Sequence, residues 1–187
     1  MHQSVKKKKN GAAAGINGIP YVIYKKCPII MFFLHKIVMV IWKSKEIPAD
    51  WAIAYIALTA KSLNIELPSE VRPIAVTSTG GKIFFSIIGD RPQIFLVGNG
   101  YIKIKIQKGF LADMAGCLEH NFALWEALRD AARAQRKAVT TWIDLANAYG
   151  SFRHNLVQFA LDWYQVPKFV QELIFDYYKN SLLSSSQ

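Results

Sequence analysis

Ala138-Val-Thr-Thr-Trp-Ile-Asp-Leu-Ala-Asn-Ala-Tyr-Gly-Ser-Phe152 decides how the rest of the chain is read. Its first half is β-prone and predicts a strand over Val139 to Asp144. That strand ends in an acid, Asp144, and an aromatic, Tyr149, follows five residues later. Trp142 and Ile143 predict burial, and an acid beside a buried strand must be paired or metal-bound. A strand that delivers a carboxylate and then breaks is a device for aiming it. The plainer alternatives are an acid that caps the next helix or one that binds water.

Around this stretch the pattern alternates helices with short strands. Leu118, Phe122, Trp125, Leu128 and Ala132 recur every three or four residues, while most charges take other faces, which predicts a helix. His154 to Tyr164 and Pro167 to Leu182 predict two more, divided by Gln165-Val-Pro167. The aromatics Trp125, Phe159, Trp163, Tyr177 and Tyr178 fall at helical spacing and predict core. Upstream, Tyr101 to Ile106 alternates strictly and predicts a half-exposed strand. Ile83 to Leu96 predicts a helix that Pro92 should kink or interrupt, at about 3 kcal/mol if truly interior.

Arg72 to Val76 and Ala52 to Thr59 predict strands, with a long loop or hairpin tip from Lys61 to Arg72. Residues 20–44 predict helix, with a break expected at Pro28. Gly15-Ile-Asn-Gly-Ile-Pro20 is a turn cluster, and residues 1–14 predict a basic, mobile tail.

Composition sets the outer bounds. The 187 residues are 52% hydrophobic and 19% charged, which predicts a packed chain rather than a disordered one. A net charge of +10 favours a polyanionic partner, nucleic acid or an anionic membrane, without choosing between them. Cys27 and Cys117 lie far apart, so free thiols and a reduced, intracellular setting are expected rather than a disulfide framework or zinc site. No signal peptide is visible. The apolar run from Pro28 to Trp42 is short of the roughly 20 residues a span needs and holds His35 and Lys36 at its middle, so a buried helix is expected instead of stable membrane insertion.

Five pieces of the chain, in order, resemble the amino-terminal part of a reverse transcriptase from a non-LTR (LINE-type) retrotransposon. They are Gly15 to Pro20; Trp42 with Ile47-Pro-Ala-Asp-Trp51; Arg72-Pro-Ile-Ala75 with Gly81-Lys-Ile-Phe84; Gln107-Lys-Gly-Phe110; and Trp142-Ile-Asp-Leu-Ala-Asn-Ala-Tyr149. The resemblance implies an α/β (α+β) fold that is part of a right-hand polymerase, with helix-rich fingers and an incomplete palm sheet. Residues 15–110 would be fingers, and 111–187 the helix and strands that open the palm.

It also implies RNA-directed DNA synthesis by two-metal nucleotidyl transfer on an RNA template and DNA primer, with dNTP as substrate and Mg²⁺ as cofactor. Asp144 would bridge the ions, with the Leu145 carbonyl as a further oxygen ligand. Ala148 and Tyr149 would lie beneath the nucleotide sugar, Tyr149 as a steric gate. Lys61 and Arg72 would reach the triphosphate, as a point charge and a fork. Gln107 and Phe110 would line the template side of the cleft, a structural turn being the alternative. Asn147 would orient the sugar or cap the next helix.

The match has gaps. Ile16-Asn17 stands where Pro-Asp is usual, and the paired Asp-Asp hairpin of the family is not among these residues. Asp176-Tyr-Tyr178 is no substitute, having one acid inside a helical pattern. One carboxylate is poor equipment for two repelling cations. The expectation is an inactive fragment of a longer element, its other half encoded downstream. The competing expectation is a non-catalytic, basic nucleic-acid-binding module.

Overall fold

The computed structural model describes residues 1–61, 63, 64, 67–111, 114, 116–145 and 148–185. It has two compact units: Met1–Arg91 with Leu161–Gln187, and Pro92–Ala160. In chain order the helices are α1 (His2–Lys6), α2 (Tyr21–Lys26), α3 (Pro28–Ser44), α4 (Ala49–Ala52), α5 (Thr79–Gly98), α6 (Leu118–Arg133), α7 (Ala148–Ser151), α8 (His154–Trp163) and α9 (Lys168–Asn180). The strands are β1 (Ile53–Ala60), β2 (Val71–Thr77) and β3 (Leu182–Ser185), in the order β2-β1-β3. The class is α+β.

In the larger unit β1 runs antiparallel to β2, with Ala54 opposite Thr77 and Thr59 opposite Arg72. It runs parallel to β3, with Ile53 opposite Leu182. The core lies among α3, α5 and α9. Met31, Leu34 and Ile41 of α3 meet Ile83 and Phe84 of α5 and Leu173 of α9 in one buried cluster. Aromatic contacts lock it: Trp42 edge-on to Phe169 at 4.7 Å and Phe85 tilted against Tyr177 at 4.5 Å between ring centres. Pro28 opens α3 at its first turn, where a missing N–H costs nothing, so the expected break falls between α2 and α3. Asp176 of α9 accepts the Ile47 N–H at 3.0 Å and the Asn180 side chain at 2.9 Å. Its carboxylate therefore fastens the α3–α4 connection.

Several expectations need correction. The basic tail is docked: Val5 is 2% exposed within the core, and Lys25 donates to Asn10 Oδ1 at 2.9 Å and to the Lys8 carbonyl. Met1 and Ala12 pack against the same core beside Val5 and add to these ties. The α3 helix is buried on one face only, with Phe33 and Val40 55% and 63% exposed on the other. Pro92 does not end α5, which continues to Gly98; the turns on both sides keep the helical path although one N–H is missing. The boundary between the two compact units nevertheless falls between Arg91 and Pro92.

The second unit holds no buried side chain among its described residues. Tyr101–Ile106 is not a strand. The Tyr101 and Ile102 N–H groups close back on Leu96 O at 2.9 and 3.2 Å, and the Ile106 and Gln107 N–H groups on Lys103 O at 2.9 Å each. With no partner strand among the described residues, the backbone finds its hydrogen bonds in turns. Val139–Asp144 has no regular structure either, for the same reason. Trp142 and Ile143 are 77% and 89% exposed rather than buried. Trp125, Phe159 and Trp163 are likewise exposed, whereas Tyr177 packs against the core as expected.

Burial pushes the Tyr21, Tyr24 and Tyr177 phenols above the usual tyrosine value of 10.0, Tyr177 with further help from Tyr178. Burial pulls Lys82 below its usual 10.5. A phenol whose value is raised by folding contributes stability that is whole below pH about 10 and lost as pH climbs through the folded value. Lys82 acts oppositely, regaining stability as pH rises toward its unfolded value, but it is one group against three. Thermal stability is therefore expected to fall as pH rises from about 10 to about 11, with phenolate absorbance rising together with unfolding. A transition temperature that stays flat across that range would contradict this.

Candidate functional site

Three segments distant in sequence meet where β2 passes into α5. Gly15 lies so close to this backbone that a Cβ there would overlap Thr77 O and stand 2.5 Å from Ser78 Cα. Only a residue without a side chain permits that approach. The turn closes through Gly18 N–H to Gly15 O at 2.8 Å, with Gly18 at φ 67°. Asn17 donates through Nδ2 to Ser78 Oγ at 3.2 Å and accepts the Ile19 N–H at 3.2 Å.

From another side Trp51 lies over the first turn of α5. A Cβ on Gly80 would be 3.0 Å from its ring, and one on Gly81 would be 3.3 Å from Trp51 Cβ. The same indole sits 5.9 Å from the Phe84 ring. Lys82 Nζ donates to Ala13 O and the Tyr55 hydroxyl to Ala14 O, each at 3.2 Å. The Thr79 hydroxyl is fully buried with no hydrogen-bond partner, a cost that the surrounding packing outweighs. Sequence reasoning missed this junction as a unit. Its signal is a pair of small residues, Gly80-Gly81, matched to a large one, Trp51.

The β1–β2 hairpin rises from that junction and carries two of the expected phosphate contacts. Arg72 is exposed and stands opposite Thr59. Lys61 lies one alternation beyond Thr59, and its N–H extends the ladder to Glu70 O at 2.8 Å. Opposed residues share a face and so do alternate ones, which places both cations at one end of one hairpin.

In the second unit, Gln107 donates to Gly109 O at 3.0 Å, and Phe110 holds φ 60° with its ring 84% exposed. Gln93 donates to the Phe110 carbonyl. Lys108 pairs with Glu119 at 2.5 Å and holds that carboxyl below the usual range. His120 meets Ile106 O at 3.1 Å. Gln107 and Phe110 are thus members of a turn fastened to the start of α6.

Asp144 is exposed at the end of an irregular segment, and its Oδ1 accepts the Leu145 N–H at 3.0 Å. Leu145 is 63% exposed and Ala148 opens the single turn of α7. Asn147 and the Tyr149 side chain lie outside the described residues. Among the described residues, no group of three or more His, Cys, Asp or Glu gathers here or elsewhere. One carboxylate and a backbone carbonyl do not fit a pair of mutually repelling Mg²⁺ ions.

Of the expected site residues, Lys61 and Arg72 are therefore brought together, as are Gln107 and Phe110, while Asp144 stands on a separate segment. No described helix is long and apolar enough to cross a membrane. No family model matches the chain, and no curated protein aligns with it.

Proposed function

We propose that this chain is the fingers and palm-opening portion of a LINE-type reverse transcriptase, an RNA-directed DNA polymerase, and that these residues alone do not polymerise. The observation that carries the reading is the junction at the start of α5. The Gly15-Ile-Asn17 turn, Trp51 and Gly81-Lys82 belong to separate pieces of the resemblance, yet pack as one body beneath a hairpin presenting Lys61 and Arg72. That is the shape expected of a fingers element reaching for a triphosphate. Arg72 supplies the fork for phosphate oxygens and Lys61 the point charge. Asp144 is the carboxylate that the complete enzyme would use for Mg²⁺.

A second reading, a non-catalytic grip on nucleic acid, is favoured by charge: the larger unit has fifteen Lys and Arg against eight Asp and Glu. Titration of the purified chain with a fluorescent dNTP in Mg²⁺ separates the two. Under the first, Arg72→Ala weakens dNTP binding roughly tenfold, the worth of a charge-assisted phosphate contact. Under the second, dNTP binding is absent, and RNA binding is steeply salt-dependent and indifferent to Asp144→Ala. In neither does the chain extend a primer on an RNA template; extension lost in Asp144→Ala would refute the inactivity.

A further inference from the structure

The first 45 residues contain nine lysines and no Asp or Glu. The structure folds this acid-free opening into α1, α2 and α3, and one face of α3 faces outward without cover. Ile29, Phe33, Ile37 and Val40 recur at helical spacing along it, each between 44% and 63% exposed. Lys36 rises from the same stripe, its ammonium 4.7 Å above the Phe32 ring, and Lys43 stands two turns further along. Beside the stripe runs an open groove of about 410 Å³, floored by Ile41 and Ile47, with Glu46 the acid on its wall.

We infer that this face of α3 is a peripheral docking surface for an anionic lipid bilayer, with the helix lying in the plane of the headgroups. Charge complementarity and composition choose the partner. Lys45 is taken by Glu172 at 2.5 Å, but Lys36 and Lys43 lie on the exposed stripe itself; cations there suit a negative surface, and the aliphatic side chains between them suit the acyl boundary just beneath it. Lys36 and Lys43 have long stems that lie along apolar surface while their ammoniums reach the headgroups. Nucleic acid fits less well, because a phosphate backbone meets cations and its bases stack on rings, whereas an aliphatic stripe finds no counterpart in it. Lying on the membrane also agrees with the length of α3, whose 17 residues are too few to cross one. The inference stands apart from the polymerase reading, since it uses none of that site's residues.

Co-sedimentation of the full chain with vesicles tests it. With vesicles of phosphatidylcholine plus a quarter phosphatidylserine, binding is expected to exceed that to pure phosphatidylcholine by about tenfold or more. Phe33→Ser with Val40→Ser should abolish pelleting with an unchanged circular dichroism spectrum, because both positions are exposed. Lys36→Gln with Lys43→Gln, equally exposed, should weaken it by about tenfold or more, given roughly fivefold per lysine. Equal binding to both vesicle types overturns the inference, as does undiminished pelleting of the Phe33→Ser/Val40→Ser chain. If that pair instead weakens single-stranded RNA binding as much as vesicle binding, the face belongs to nucleic acid and the lipid assignment falls.

Discussion

Gly15→Ala is expected to destabilise the larger unit by about 3 kcal/mol or more, a large effect for a single added methyl. The methyl would strike backbone: Thr77 O and, at 2.5 Å, Ser78 Cα. Backbone at the joint of β2 and α5 cannot swing away as a side-chain tip can. The turn must retreat, and with it go the Asn17–Ser78 hydrogen bond and the two main-chain carbonyls, Ala13 and Ala14, that Lys82 and Tyr55 hold. Gly11→Ala is the control, because a methyl there meets nothing within 4 Å. Urea melts of both variants check this; equal midpoints would show that the turn is not seated against Ser78.

Phe84→Ala should cost about 3–5 kcal/mol, the usual penalty for emptying a buried aromatic site. Phe84 is 1% exposed and touches Trp51 on one side and Phe85 on the other, at 5.9 and 5.3 Å between ring centres. Removing it hollows the core where the motif junction rests. With typical domains stable by only about 5–15 kcal/mol, the variant would sit near its unfolding threshold at 37 °C. Calorimetry should show a transition lower by on the order of 10 °C. The exposed neighbour Phe95, on the same helix, should tolerate alanine with little change. A Phe84→Ala chain that melts like the parent would place the core elsewhere.

Local pattern missed α1 and α4 but made the longer helices legible. The periodic apolar residues of α6, α8 and α9 marked them, and Pro28 divided α2 from α3 because proline belongs at a first turn. The β1–β2 hairpin was legible too, since two β-prone runs flanked a polar stretch with Pro68. Tyr101–Ile106 and Val139–Asp144 show the same local pattern and form no strand. A strand is completed by its neighbour, and that neighbour is invisible to a local reading.

The pairing of β3 with β1 was hidden for the converse reason, a serine-rich end recruited by a distant edge. At the candidate site, a shared role for Lys61 and Arg72 came only from the resemblance, and it is the strand register that brings them to one end of the hairpin. The meeting of Gly15, Trp51 and Gly81 was not legible, because it depends on close approach between segments dozens of residues apart. Trp142 and Ile143 misled because hydrophobicity forecasts burial only where there is something to be buried against.

The larger unit is sewn from two separate lengths of chain, Met1–Arg91 and Leu161–Gln187, joined by the parallel pairing of β3 with β1 and by Val170 and Leu173 in the shared core. The second unit is thus an excursion between two halves that grip each other without it. A polypeptide severed within that excursion would remain whole as a non-covalent pair, its scission visible on a denaturing gel and silent in a native one.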